Sequence, residues 1–161
     1  MAFTHPHGTH GRKQPRGVLM RWGNKMMAGR ARRARGKTMM GMQVLVLNTV
    51  GAKTGKPRQT PVAWFPGPDG SRHVVASANG AIGNPAWYHN LTAHPDRVSV
   101  EVDGQLIRVT PEQLRGAERA EAWAAVVQAV PRFATYEQKT DREIPIVRLR
   151  AEGDRPSPHA T

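Results

Sequence analysis

Apolar positions along this chain fall into short runs separated by glycine and proline, and their period changes from strand-like to helix-like. Val44-Leu45-Val46-Leu47 is continuous, Gln59-Thr60-Pro61-Val62-Ala63-Trp64-Phe65 is mixed, and Val74-Val75-Ala76-Ser77 is short. These runs predict strands over 43–50, 58–65 and 72–77, with Gly67-Pro68-Asp69-Gly70 turning between the last two. Pro61 inside a strand marks an edge or a bulge, because proline has no ladder donor. Arg97 to Val102 alternates, Asp103-Gly104 has the chemistry of a primed turn, and Gln105 to Val109 returns. Ile144–Leu149 reads as a closing strand.

Helical readings fall between and around these strands. Pro85–Ala93 is a short helix with Asn84 as its N-cap and His94-Pro95-Asp96 as its stop. Thr110-Pro111-Glu112 reads as the start of a longer helix reaching Val130, with Thr110 as N-cap and Leu114, Ala117, Trp123, Val126 and Val127 facing the sheet. Pro131 ends it, and Phe133–Gln138 adds one further helical turn. Upstream, residues 17–42 form an amphipathic basic helix with Leu19, Trp22, Met26 and Met27 on one face. Residues 1–16 lack apolar periodicity and are expected to be a disordered basic tail; residues from 151 to 161 are polar, Pro-rich and expected to fray. The fold class is therefore α+β, mainly β, with about six antiparallel strands over 43–150 and flanking helices.

Composition narrows the partners. The 161 residues suffice for one domain with a sizeable core. With zero cysteines, disulfides and thiolate metal sites are excluded. There is no signal-peptide core or long apolar span, which points to a cytoplasmic protein. His5, His7 and His10 have no nearby carboxylate or thiolate to complete a metal site, so a mobile tail is the preferred reading and no metal is expected. The net charge of +12 is uneven: residues 1–68 hold 13 Lys/Arg and no acid, and residues 69–161 hold 11 against all 12 acids. Such a front half suits an anionic surface, and the 17–42 helix either caps the sheet or sits peripherally on the inner face of an anionic membrane. Nucleic acid is disfavoured because no aromatics interleave the cations.

The candidate chemistry lies in Gly51-Ala52-Lys53-Thr54-Gly55-Lys56-Pro57-Arg58. Three cations in six residues beside two glycines make either a nest for phosphate or carboxylate oxygens or a charged hairpin turn. The spacing is not that of a Walker loop, and Gly36-Lys37-Thr38 has Ala31 where the first glycine would stand. Downstream, Ala78 to Asn84 is too small and polar to be core, and Trp87 and Tyr88 follow at a helix start where a flat ring can rest. By residue type alone, those two rings read equally as core aromatics.

These pieces together resemble the deazaflavin (coenzyme F-420)-dependent nitroreductases and quinone reductases of actinobacteria, a branch of the split β-barrel flavin and deazaflavin oxidoreductases. The matching segments are Gly51 through Pro61, Ala76-Ser77, Pro85-Ala86-Trp87-Tyr88-His89-Asn90-Leu91, and Tyr136 followed by Thr140-Asp141-Arg142-Glu143-Ile144-Pro145-Ile146-Val147. The resemblance spans roughly residues 40 to 150.

It implies a split, FMN-binding-like barrel and an enzyme passing hydride from the reduced deazaflavin to an electron-poor acceptor: a quinone, nitroaromatic or enone. It implies that Lys53, Thr54, Arg58 and Gln59 meet the anionic phosphate and polyglutamate tail. Thr60, Pro61, Val62, Ala76, Ser77, Ala78, Trp87, Tyr88 and Asn90 would line the ring. Tyr136 would be the catalytic proton donor, with Phe133 beside it in the acceptor pocket. Relatives often carry a tyrosine triplet where this chain has Val130, Phe133 and Tyr136. They commonly have Arg at Ala52, Lys at Ala78 and Gly at Asn79. Alternatives are FMN or biliverdin-type chemistry on the same barrel, or a non-enzymatic basic membrane- or nucleic-acid-binding protein. Monomer and homodimer both remain open.

Overall fold

The computed structural model describes residues 3–11 and 41–153. The expected basic helix over 17–42 and the tail beyond 153 lie outside the described residues, apart from Gly41 and Met42.

Six strands form a closed antiparallel barrel: β1 (Val44–Val50), β2 (Pro57–Pro66), β3 (Arg72–Val75), β4 (Ser99–Val102), β5 (Gln105–Gln113) and β6 (Ile146–Ala151), in the order β1-β2-β3-β6-β5-β4. Three α-helices flank it: α1 (Ala86–Ala93), α2 (Gly116–Ala129) and α3 (Phe133–Lys139). Ala151, assigned by sequence to a frayed tail, still pairs with Val109 in the barrel.

The split arises in the two longest strands, each of which changes partner halfway. β2 pairs with β1 from Pro57 to Ala63 and with β3 only from Trp64 to Pro66. β5 pairs with β4 from Gln105 to Arg108 and with β6 from Val109 to Gln113. A proline sits near each change. Trp64 N–H donates to the Gln43 carbonyl at 3.0 Å, so by alternation the nitrogen of Pro61 points away from β1, toward a side where the β3 ladder has not begun. Likewise Glu152 N–H donates to the Arg108 carbonyl and Leu114 N–H to the Ile146 carbonyl, both at 2.9 Å. The nitrogen of Pro111, opposite Leu149, therefore faces the side from which β4 has departed.

That register corrects the expected helix start at Thr110. Thr110-Pro111-Glu112 belongs to β5, and α2 begins only at Gly116, after Arg115 as its extended N-cap. Proline after threonine favours a helix start only where its missing N–H is an orphan, and a strand edge meets the same condition. The Asp103-Gly104 turn is as expected, with φ of 51° and 77°.

Two apolar clusters fill the molecule. One lies inside the barrel around Leu45, Leu47, Val74, Val100, Val147 and Leu149, closed by Trp87, Tyr88 and Leu91 of α1. The other joins Phe65, Val75 and Ile146 to Leu114, Ala122, Val126 and Phe133 under α2 and α3, with Met42 and Tyr136 at its margin. On the outer face Arg148 bonds Glu118 and lies 3.5 Å from Glu112, while Arg150 reaches Asp69 at 3.2 Å. These pairs tie β6 to β5, α2 and the β2–β3 turn.

Residues 3–11 depart from the expected disordered tail. Thr4 N–H donates to Gln113 Oε1 and Gln113 Nε2 to Thr4 Oγ1, both at 2.8 Å, and Gly8 N–H donates to the Ile82 carbonyl at 2.9 Å. Asp141 accepts from the Thr9 N–H at 2.8 Å and from its hydroxyl at 2.6 Å. Those bonds hold the Asp141 carboxyl down at about 2. Composition alone misses such an anchor because its partners lie far away in sequence, Gln113 by 109 residues and Asp141 by 132 from the groups they hold.

Candidate cofactor cleft

The loop between β1 and β2 folds on its own backbone. Gly51 N–H donates to the Lys56 carbonyl at 2.8 Å, Gly55 N–H to the Gly51 carbonyl at 2.9 Å, and Lys56 N–H to Thr54 Oγ1 at 3.3 Å. Gly55 has φ +67°, the left-handed conformation that costs glycine least. The Asn90 side chain of α1 braces this turn by accepting from Ala52 N–H at 3.0 Å.

Between the turn, the adjoining ends of β1 and β2, and α1 lies a cleft of about 1240 Å³. Helical spacing turns Ala86, His89, Asn90 and Ala93 toward it, while Tyr88 and Leu91 enter the barrel. Lys53 and Arg58 stand in its wall with Asn48, Thr49, Thr54, Gln59 and Thr60. No carboxylate is among the described residues lining it. Among the described residues Arg58 makes two long contacts, to the Pro57 carbonyl at 3.2 Å and Thr54 Oγ1 at 3.3 Å, leaving guanidinium donors for a ligand.

Of the residues assigned to the cofactor by sequence, Lys53, Thr54, Arg58, Gln59, Thr60, Trp87 and Asn90 come together here. Pro61 and Val62 continue β2 beyond the cleft wall, Val62 inside the barrel. Ala76 is fully buried. Tyr88 is corrected to a core residue: it has no exposure, and its hydroxyl donates to the Thr4 carbonyl at 2.6 Å. Burial pushes that phenol up to about 12.

Ser77 and Ala78 lie in a separate loop, Ala76–Asn84, built around Arg142. This guanidinium, 4% exposed, donates to the carbonyls of Ala81 at 3.1 Å, Ala76 at 3.2 Å and Ser77 at 3.0 Å, and to Asn84 Oδ1 at 2.6 Å. Asn84 is thereby corrected from helix cap to loop anchor; the residue capping α1 is Pro85, without a side-chain bond. Ala78 and Asn79 adopt φ of 45° and 54°. Their turn packs on α3, where the Tyr136 carbonyl would lie 3.1 Å from a Cβ at Gly80. Tyr136 is half-buried, its ring edge-on to Phe133 at 5.2 Å and under the Lys139 ammonium at 5.5 Å. Phe133, expected in the acceptor pocket, is 6% exposed and packs on Phe65. Thus Tyr136 and Phe133 stand apart from the cleft walls.

The structure adds residues that the sequence reading passed over: His5, Asn48, Thr49 and His89. Asn48 and Thr49 had a signal, two polar residues interrupting the apolar run Val44–Val50. His5 had none.

An antiparallel split barrel with a cationic cleft, free of carboxylates among the described lining residues, defines a class of barrel suited to an elongated anionic ligand. Two details of the cleft fit such a group. Thr49 Oγ1 is buried without a hydrogen-bond partner among the described residues. A Cβ at Gly51 would fall 2.5 Å from Thr54 Oγ1, so a side chain there would displace the threonine hydroxyl that accepts from Lys56 N–H.

The chain belongs to the family described as "F420H(2)-dependent quinone reductase", whose match covers residues 20–151. It is 38% identical over 109 residues to a quinone reductase of that description from Mycobacterium tuberculosis, covering 65% of this chain and 71% of the relative. Among solved structures it is similar to an F420-H2 dependent reductase, FDR-A, with TM-score 0.59, 36% identity, and coverage of 66% of this chain and 93% of that one. It is also similar to a chain described as a domain-swapped dimer, with TM-score 0.61, 29% identity, and coverage of 83% and 100%. The split-barrel reading and coenzyme F-420 as the family's cofactor therefore stand. Among the described residues no helix is long and apolar enough to cross a membrane.

Proposed function

We propose that this chain transfers hydride from reduced coenzyme F-420 to a quinone, and that the cleft between the Lys53–Arg58 turn and α1 is where the cofactor sits. The observation that carries this is a large cleft whose charged side chains are cationic, uncompensated by any lining carboxylate and backed by an orphan hydroxyl at Thr49. Lys53 and Arg58 bind oxygens of the acidic tail, Arg58 in a forked geometry. Asn90 holds the turn to α1, so the cations keep a fixed distance from the helix. Thr49, Thr60 and Asn48 offer neutral hydrogen bonds, and Trp87 gives a flat wall from which water is excluded.

The chemistry the cofactor supplies when bound is hydride donation to an electron-poor acceptor. Protonation of the reduced acceptor is assigned, by the family resemblance, to the Tyr136 hydroxyl; because Tyr136 stands apart from the cleft walls, this role requires an acceptor that extends from the cleft toward α3. The Arg142-anchored loop sets the position of that residue through α3. A spread of cations and neutral donors suits a long tail better than the single compact phosphate of FMN. Nitroaromatics and enones are secondary acceptors, since one hydroxyl remains of the tyrosine triplet. We place the protein in the cytoplasm; a peripheral membrane contact of residues 17–42 and a homodimer are subsidiary proposals, the latter prompted by the domain-swapped relative.

Anaerobic fluorescence titration with coenzyme F-420 and FMN, followed by menadione reduction, tests the reading. Binding at least tenfold tighter for the deazaflavin is expected; equal affinity for FMN overturns it.

A further inference from the structure

The segment Phe3–Gly11 precedes the residues that the family match covers, yet it is built into the cleft. Its docking is specific along its length. Besides the bonds through Thr4, Gly8 and Thr9, a Cβ at Gly8 would fall 2.6 Å from Asp141 Oδ1 and 2.7 Å from Thr140 Oγ1, so a larger residue there would have to displace the side chains that hold the segment. Between these anchors His5 enters the wall of the cleft and stacks on His89, with ring centroids 5.5 Å apart and planes within 6°. The Tyr88 ring meets His5 edge-on at 5.8 Å.

His89 lies on the α1 face that carries Asn90, and Asn90 holds the cationic turn. The imidazole pair thus continues, along α1, the wall that begins with Lys53 and Arg58. Imidazoles offer N–H donors, and no carboxylate among the described lining residues competes for them.

We infer that His5, stacked on His89, is a binding residue that extends the anion-binding wall and takes an oxygen of the cofactor's acidic tail. This rests on the cleft being the coenzyme F-420 site.

The test is equilibrium fluorescence titration of the full-length wild type, His5→Ala and His89→Ala with coenzyme F-420 and with the tail-less deazaflavin riboside. Both histidines are exposed, so neither change should alter folding. In His5→Ala the affinity for the tailed cofactor is expected to fall about five- to tenfold, as for one charge-assisted contact, while the riboside binds within about twofold of wild type. His89→Ala, which removes the stacking partner of His5, is expected to show a smaller loss of the same kind, confined to the tailed cofactor.

Unchanged affinity of His5→Ala for the tailed cofactor overturns the inference and leaves the proposed function intact. An equal loss for both ligands also overturns it, because the strap would then only support the ring pocket. Failure of wild type to bind coenzyme F-420 removes the inference and the proposed function together.

Discussion

Arg58 and Arg142 lie in two loops of the same barrel and are used in opposite ways. Arg142 is buried and spends its donors on three carbonyls and one side-chain amide, fixing the loop Ala76–Asn84. Arg58 stands in an open cleft and spends two donors on a neighbouring carbonyl and a threonine, both at long range. A saturated guanidinium cannot bind a ligand without giving up the fold around it, whereas an unsaturated one contributes little until a ligand arrives. Cations of equal formal charge are thus separated, by how many acceptors surround them, into one that holds the fold and one whose donors stay available. The Lys53–Arg58 turn and the Arg142 loop differ accordingly in what their mutation should do.

The largest effect is expected for Arg142→Ala. Three carbonyls and the Asn84 amide lose their partner in a buried site, so unfolding free energy in urea should drop by roughly 3–5 kcal/mol. Arg142→Lys should recover less than half of this, because one ammonium cannot meet four acceptors in a planar fan. A loss under 1 kcal/mol would erase the contrast with Arg58.

Tyr136→Phe comes next, on the helix that the Arg142 loop supports. Turnover with menadione should fall by about 10²-fold or more if its hydroxyl delivers the proton, with cofactor affinity nearly unchanged. Wild-type rates of both product formation and single-turnover cofactor oxidation would transfer that role to water.

Arg58→Ala should leave stability within about 0.5 kcal/mol, since its contacts are exposed, and weaken coenzyme F-420 binding by roughly 1.5–3 kcal/mol. An unchanged dissociation constant would make it a solvated turn charge, and the comparison would fail at its ligand end. The smallest change expected is Ala78→Gly. Ala78 is held at φ +45°, where glycine is nearly strain-free, and relief of strain against lost chain entropy should give a gain of about 0.5–1 kcal/mol in thermal or urea stability. A loss instead would mean that the methyl group packs usefully. The Gly that relatives commonly carry at Asn79 has the same explanation, φ +54°.

Some of this architecture was written locally. Apolar runs bounded by Gly, Pro and Asp-Gly placed six strands, because strand period and turn chemistry act over a few residues. The cation cluster Lys53–Arg58 was visible because its members are neighbours in sequence and share one turn. What stayed hidden depended on distant partners. Thr110-Pro111-Glu112 has the local chemistry of a helix start, and only the switch of β5 from β4 to β6 gives the proline nitrogen a place in a strand. Tyr88 reads as a ring-binding aromatic until Thr4 takes its hydroxyl. Asn84 reads as a cap until Arg142 draws it away. Residues 3–11 read as a tail because their anchors, Ile82, Gln113 and Asp141, come from two loops and a strand widely separated along the chain. The sequence by itself determined the strands, the turn types and the cationic site. The tertiary structure decided which polar groups were already satisfied, since hydrogen-bond partners are chosen in space, and that choice separates the residues left to bind a ligand from those holding the barrel together.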